Sequence, residues 1–172
     1  MARRTSFKLP GFTTWVDNIK NTVSQEAAAQ IVDDLKQVGP YWSGDFESAW
    51  VVKAGKTRIN ATREPSGEAP RTPRNQQTTP VQIPKPVGRK SVEYTIGNEM
   101  VYRDVAMDLD PGRRRITNPW GKDPAVPAQN PTAPQDWYRT YVEGGNLRLT
   151  LQQSTNRAAK DPKIRGFKGK ES

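Results

Sequence analysis

The stretch Gly39-Pro-Tyr-Trp-Ser-Gly-Asp-Phe-Glu-Ser-Ala-Trp50 decides the fold, because it separates a long helical pattern from strand-like sequence. Gly39-Pro40 ends the helix, since glycine accepts the left-handed cap conformation and proline cannot continue a helix. Ser43-Gly44 is a turn signal. The chain then enters Ala49–Val52, whose aromatic and β-branched residues are typical of a strand. This order predicts a helix, an abrupt stop and then a sheet.

The helix before this stop begins near Thr13 or Thr14. Thr14 and Asp17, three residues apart, fit a capping box in which side chains satisfy free backbone N–H groups. Apolar residues then recur at three- and four-residue spacing, which places them on one helical face. They are Trp15, Ile19, Val23, Ala27, Ile31, Leu35 and Val38. We take five of them as candidate core residues: Trp15, Ile19, Val23, Ile31 and Leu35.

The aromatic residues after the stop, Trp42, Phe46 and Trp50, are spaced by four. One helical turn leading into a strand would produce this spacing, and a Ser43-Gly44 turn before the strand is the alternative. A position in the core is the ordinary place for such side chains. A stacking platform for single-stranded nucleic acid is the alternative function. Beyond Ala54-Gly55, the alternation of Thr57–Ala61 would complete a hairpin.

The later half of the chain has weaker patterns. Ser91–Ile96 alternates like a strand, and Gly97-Asn98 is typical of a turn. Met100–Leu109 fits a helix or a strand, and Asp110-Pro-Gly112 forms a turn. Residues 135–159 indicate a closing helix, with two alternatives. Gly144-Gly145 would divide it into two helices, and the Leu147, Leu149, Leu151 alternation would make a strand.

Composition excludes several kinds of site. The 172 residues suffice for one modest domain, with 33% hydrophobic residues and a mean hydropathy of -0.87. Cysteine and histidine are absent, which excludes disulfides, cysteine-based zinc sites and a histidine base. No apolar run approaches the length needed to cross a bilayer, so we expect no membrane association.

The net charge of +9 falls mainly in segments that resemble arms and loops rather than on one face. We predict a basic N-terminal arm at 1–12, a single α+β domain at 13–155 and a basic tail at 156–172. The domain has a long N-terminal helix on a small, mainly antiparallel sheet, a C-terminal helix, and Pro-rich loops at 64–90 and 111–134. Within the first loop, Thr79–Pro86 suits a polyproline II strip lying on another surface. These basic segments are either solvated or bound to acidic neighbours or phosphates.

The carboxylates that could bind a metal are Asp104, Asp108 and Asp110, with Glu93 and Glu99 nearby in sequence. Asp104 and Asp108 would share a helical face and so form a Mg²⁺ site, or simply a solvent-facing acidic surface. There is no glycine-rich phosphate loop or nucleophile elbow. We therefore expect a protein that is not an enzyme and binds no cofactor.

Two separated sets of residues resemble motifs of the tail-completion (neck) proteins of tailed bacteriophages. The first is the junction after the helix, with Pro40, Ser43, Gly44, Phe46, Ser48 and Trp50. The second comprises Ile96-Gly-Asn98, Tyr102-Arg103 and the Asp110-Pro-Gly112 turn. The junction has Trp42-Ser43-Gly44 where the family usually carries Asp-Thr-Gly, and Asp108 and Gly112 only approximate its later positions.

The resemblance implies a structural α+β subunit of the virion that assembles in the host cytoplasm into a ring, typically of six copies. The ring would cap the tail tube and join it to the head connector, with double-stranded DNA passing through without sequence specificity. Its partners would be other copies of the chain and neighbouring neck, connector and tail-tube proteins. Candidate residues facing the DNA or other subunits are Arg71, Arg74, Lys85, Arg113, Arg114, Arg115, Arg157 and Lys160.

Two functions of other classes remain open. A nucleic-acid-binding accessory protein would use Arg113–Arg115, the basic tail and exposed aromatic residues, and its affinity would fall steeply with salt. A metal-dependent nuclease would use Asp104 and Asp108.

Overall fold

The computed structural model describes residues 12–40, 44–67, 80–85, 93–107, 133 and 136–162. Along these ranges the elements are α1 (Phe12–Val38), α2 (Asp45–Ser48), β1 (Trp50–Ala54), β2 (Tyr94–Asn98), α3 (Arg103–Ala106), α4 (Trp137–Glu143) and α5 (Asn146–Ala158). A long N-terminal helix, a two-stranded antiparallel sheet and C-terminal helices make this an α+β arrangement, which confirms the predicted fold class. The predicted Asp110–Gly112 turn and most of both Pro-rich loops lie outside the described residues.

Helix α1 has 27 residues and is therefore about 40 Å long. It begins at Phe12, so the capping box predicted from Thr14 is wrong, because Thr14 already lies within the first turn. The deepest apolar positions on α1 are Ala28, Val32 and Leu35, with exposed fractions of 3%, 0% and 4%. They follow helical spacing, which places one face of α1 against the rest of the fold.

The predicted hairpin is wrong. Strand β1 pairs with β2 in antiparallel register, from Trp50 opposite Asn98 to Ala54 opposite Tyr94. Gly55 does turn the chain, with a φ of 82°, but the following residues form no strand. Ile59 is buried instead, and a Cβ on Gly97 would lie 2.8 Å from its Cδ1 atom. The segment after the turn thus packs on β2 through a side chain.

The predicted turn at Gly97-Asn98 is also wrong, because both residues belong to β2. The ambiguous stretch from Met100 contains α3, so its helical interpretation is correct for Arg103–Ala106. The closing region forms two helices separated at Gly144-Gly145, where Gly145 has a φ of 96° that favours glycine. The strand alternative for Leu147–Leu151 is wrong.

Helix α5 packs against α1 in the opposite direction, since Thr150 contacts Asp34 while the later Arg157 contacts the earlier Gln30. Its most buried positions are Thr150, Ser154 and Ala158, spaced by four residues on one face. The core joins this helical layer to the sheet. Its buried members are Ala28, Val32, Leu35, Phe46, Ala49, Trp50, Val52, Met100, Met107, Trp137 and Tyr141.

Candidate functional site

The residues from Gly44 to Trp50, which follow the α1 stop, form the first half of the candidate site. Gly44 adopts a φ of 89° immediately before α2, a conformation that side chains disfavour. The amide of Ser48 donates to the Gly44 carbonyl at 2.9 Å, which closes the single turn of α2. Asp45 is buried and accepts two hydrogen bonds from Ser66, one from its amide at 3.1 Å and one from its hydroxyl at 2.9 Å.

Phe46 lies at the centre of an aromatic cluster. Its ring meets Trp50 and Trp137 edge-on, at centroid distances of 5.8 and 6.1 Å, and stacks on Tyr102 at 6.1 Å. Edge-to-face and offset-stacked rings add to the stabilisation from burial. Trp137 Nε1 donates to the Ala106 carbonyl at 2.8 Å, which ties α4 to α3. Since Phe46 and Trp50 are only 5% and 3% exposed, these two residues cannot serve as a base-stacking platform.

Asn98 joins the second half of the site to the first. Its side chain is fully buried, and its Nδ2 donates to the Phe46 carbonyl at 2.7 Å. Its Oδ1 accepts from the Met100 amide at 2.9 Å. Buried polar groups need hydrogen-bond partners. This one asparagine supplies them to two backbone groups in separate parts of the chain. We call the group formed by residues 44–50 and 96–103 the junction cluster.

Two arginines at the edges of the junction cluster donate hydrogen bonds to backbone carbonyls. Arg103 Nη1 donates to the carbonyls of Ile59 and Asn98, each at 2.7 Å. Arg63 Nη1 donates to the Ser48 carbonyl at 3.0 Å, and the Arg63 amide donates to Glu99. Hydrogen bonds from charged donors are stronger than neutral ones. Both guanidinium groups therefore fix the path of the chain.

The surroundings of Tyr102 in the cluster disfavour ionisation of its hydroxyl. Burial raises the pKa of Tyr102 to about 12, the Asp45 carboxylate adds to this increase, and Arg63 opposes it. Trp50 Nε1 is a buried donor that has no hydrogen-bond partner among the described residues. Among the described residues, no group of three or more carboxylates is placed to hold a metal. Asp104 is exposed, and its Oδ1 lies 3.5 Å from Arg103 Nε. Asp108 and Asp110 lie outside the described ranges.

The junction motif residues are brought together only in part. Gly44, Phe46, Ser48 and Trp50 belong to the cluster, although Ser48 is exposed; its hydroxyl donates to the Asp45 carbonyl. Pro40 is half-buried just after α1, and Ser43 lies outside the described residues. The later stretches Ile96–Asn98 and Tyr102-Arg103 do lie in the cluster, although neither was predicted to contact the first.

The other candidate residues are scattered. Leu35 is in the core and Ile31 packs against it, while Trp15, Ile19 and Val23 are half-buried and lie outside the core. The basic candidates Arg71, Arg74, Arg113, Arg114 and Arg115 lie outside the described residues. Lys85 and Lys160 are exposed. Arg157, predicted in the tail, lies in the last turn of α5, where its guanidinium donates to the Gln30 side chain at 2.6 Å.

Sequence reasoning missed a second polar cluster between the helices. Asp34 on α1 accepts hydrogen bonds from the Tyr141 hydroxyl at 3.1 Å and the Thr150 hydroxyl at 2.5 Å. Gln30 donates to the other oxygen of Asp34 at 2.9 Å. Burial raises the pKa of Tyr141 to about 12. The signal in the sequence was the polar spacing of Thr150 and Ser154 on the face of α5 that packs against α1.

Comparison with known proteins gave no match: no family model, curated protein or solved structure is significantly similar to this chain. Within the described residues, no helix is both long and apolar enough to cross a membrane.

Proposed function

We propose that this chain is a structural virion protein of a tailed bacteriophage. It forms a ring in the neck that completes the tail and joins the tail tube to the head connector, with DNA passing through. The supporting observation is the junction cluster. Two stretches that resemble the tail-completion family, although 45 or more residues apart, meet through the Asn98–Phe46 hydrogen bond and the Phe46–Tyr102 stack.

The chemistry of the cluster suits a structural role. The side-chain hydrogen bonds of Asn98, Arg63 and Arg103 go to backbone carbonyls and amides. The aromatic rings pack against one another. Such a cluster stabilises one path of the chain rather than binding a substrate. We propose no catalytic activity and no cofactor for it.

The proposed assembly is a homo-oligomeric ring, of six copies by analogy with the family. Ring contacts would be heterologous, with one patch of each subunit meeting a different patch on the next. Exposed cations such as Lys85 and Lys160, with the basic segments beyond the described ranges, would face neighbouring subunits or the DNA. The assembled protein would reside in the virion neck.

Native mass spectrometry at low and moderate salt, with electron microscopy of any large species, tests this function. Closed rings with an open channel are the expected result and give the symmetry directly. A strict monomer whose DNA affinity falls steeply with salt would contradict the proposal and favour the accessory nucleic-acid-binding protein instead.

A further inference from the structure

Residues 80–85, which we call the strap, belong to no helix or strand and lie on the hydrophobic core. Val81 and Ile83 are half-buried and pack against the core, whereas Pro80, Gln82 and Lys85 are exposed. Inward and outward residues therefore alternate from Pro80 to Ile83, as in an extended peptide seated on a surface. The sequence predicted that a strip here would lie on another surface, and these contacts identify an apolar surface that accepts it.

Few contacts from the described residues hold the strap. The Tyr94 hydroxyl of β2 donates to the Pro84 carbonyl at 2.8 Å. In the described part of the chain this is the strap's one hydrogen bond to another segment, and none of its residues pairs with a strand. Its position thus depends on two aliphatic side chains and one tyrosine. The surface that receives them, which we call the cradle, belongs to the folded core and includes Tyr94.

Chain length allows the same contacts to form between two copies. Residues 68–79 and 86–92 connect the strap to the rest of the chain. When fully extended they could span about 40 Å and about 23 Å. Identical chains offer identical cradles, so a strap that leaves its own cradle for a neighbour's loses no contact. Exchange of an identical element is accordingly a low-cost route to association.

We infer that each strap docks in the cradle of a second copy of this chain and so links successive subunits. This inference rests on the proposed function for its ring setting. The partner is recognised by an aliphatic–polar–aliphatic–Pro sequence, with Val81 and Ile83 entering the apolar surface and Tyr94 binding the backbone carbonyl of Pro84. The surface of association is thus part of the described fold and needs no basic residue.

Cross-linking between introduced cysteines tests the exchange, since the native chain contains no cysteine. Two differently tagged chains are co-expressed, one with Lys85→Cys in the strap and one with Glu93→Cys beside Tyr94; both native residues are exposed. A flexible bismaleimide is expected to cross-link the two cysteines and so give a product that carries both tags. Adding Ile83→Ser to the Lys85→Cys chain should abolish this product. The matched control Gln82→Ser changes an exposed residue of the same strap and should leave it intact.

A chain carrying both cysteines, co-expressed with an excess of cysteine-free chain, separates the outcomes. Exchange predicts that the cross-link joins two chains and is therefore lost on dilution, because each strap then docks on a cysteine-free neighbour. If this cross-link persists in assemblies that native mass spectrometry shows to be rings, the exchange is overturned and the ring function stands. If only monomers form and the tags never join, both the exchange and the ring are contradicted. Joined tags in a species that is not a ring would support the exchange alone.

Discussion

At the scale of single residues, Asn98 is the side chain on which the junction cluster most depends. Replacing it with alanine leaves the buried Met100 amide without its acceptor and removes the shorter hydrogen bond to the Phe46 carbonyl, which keeps a 3.3 Å bond from Ala49. We expect Asn98→Ala to lower the free energy of unfolding by about 1–3 kcal/mol, the typical cost of a buried unsatisfied group. Urea denaturation measures the change. The exposed Asn60→Ala is the control, and equal effects of both substitutions would contradict this role.

Close packing, rather than a turn, is the reason that glycine occupies position 97. An added Cβ would lie 2.8 Å from Ile59 Cδ1 and 3.2 Å from Ile59 Cβ. Gly97→Ala should therefore destabilise the fold by about 1–3 kcal/mol, as overpacking does. Combining it with Ile59→Val, which removes the nearest atom, should cost less than the sum of the two single substitutions. A double-mutant cycle in urea measures this coupling, and strictly additive effects would count against the contact.

At the scale of elements, the helices were more predictable than the sheet. Helical spacing located α1 because its periodicity is local. Of the deepest apolar positions, Leu35 was predicted, whereas Ala28 and Val32 were not, and the predicted Ile31 lies beside them. The pairing of β1 with β2 joins residues far apart in sequence, from Trp50 with Asn98 to Ala54 with Tyr94, and no local pattern specifies it. Gly55 and Gly97 both resemble turn residues in sequence. Only the structure distinguishes the turn at Gly55, with its positive φ, from the close approach at Gly97.

The contact of α4 and α5 with α1 should depend on pH through Tyr141. Burial raises its pKa to about 12, with a contribution from Asp34, against an ordinary value of 10.0. The Tyr141 hydroxyl therefore loses its proton at a lower pH in the unfolded chain than in the folded protein. Its contribution to the free energy of unfolding is fully present below pH 10 and is lost as the pH rises from 10 to 12. Tyr102, raised to about 12, contributes in the same window.

Urea unfolding at a series of pH values from 9 to 12 checks this prediction. We expect the free energy of unfolding to decline less steeply with pH in Tyr141→Phe and in Tyr102→Phe than in the native chain, and least steeply in the double variant. The Tyr141→Phe chain also loses the hydrogen bond to Asp34, which lowers its stability below pH 10. Identical slopes in all four proteins would show that neither tyrosine is responsible.

At the scale of the whole molecule, the candidate site was only half visible in the sequence. The motif stretches at 44–50 and 96–103 were recognised separately, since each is contiguous. Their meeting depends on Asn98, whose amide acts across the fold, and on Arg63, which no motif indicated. The contact between the buried Asp45 and Ser66 was equally hidden, because the partners lie 21 residues apart.

A ring links folding to association, and this makes thermal stability depend on protein concentration. If the ring is the folded state that melts, each tenfold increase in concentration should raise the apparent stability by about 1 kcal/mol per chain. For a chain of 172 residues this corresponds to an increase in Tm of about 2–4 °C. Calorimetry over a hundredfold range measures it. The Ile83→Ser chain should show a smaller dependence than Gln82→Ser, since Ile83 packs on the core and Gln82 is exposed. A Tm that is constant over this range in the native chain would contradict the ring, whereas equal dependence in the two variants would contradict only the strap exchange.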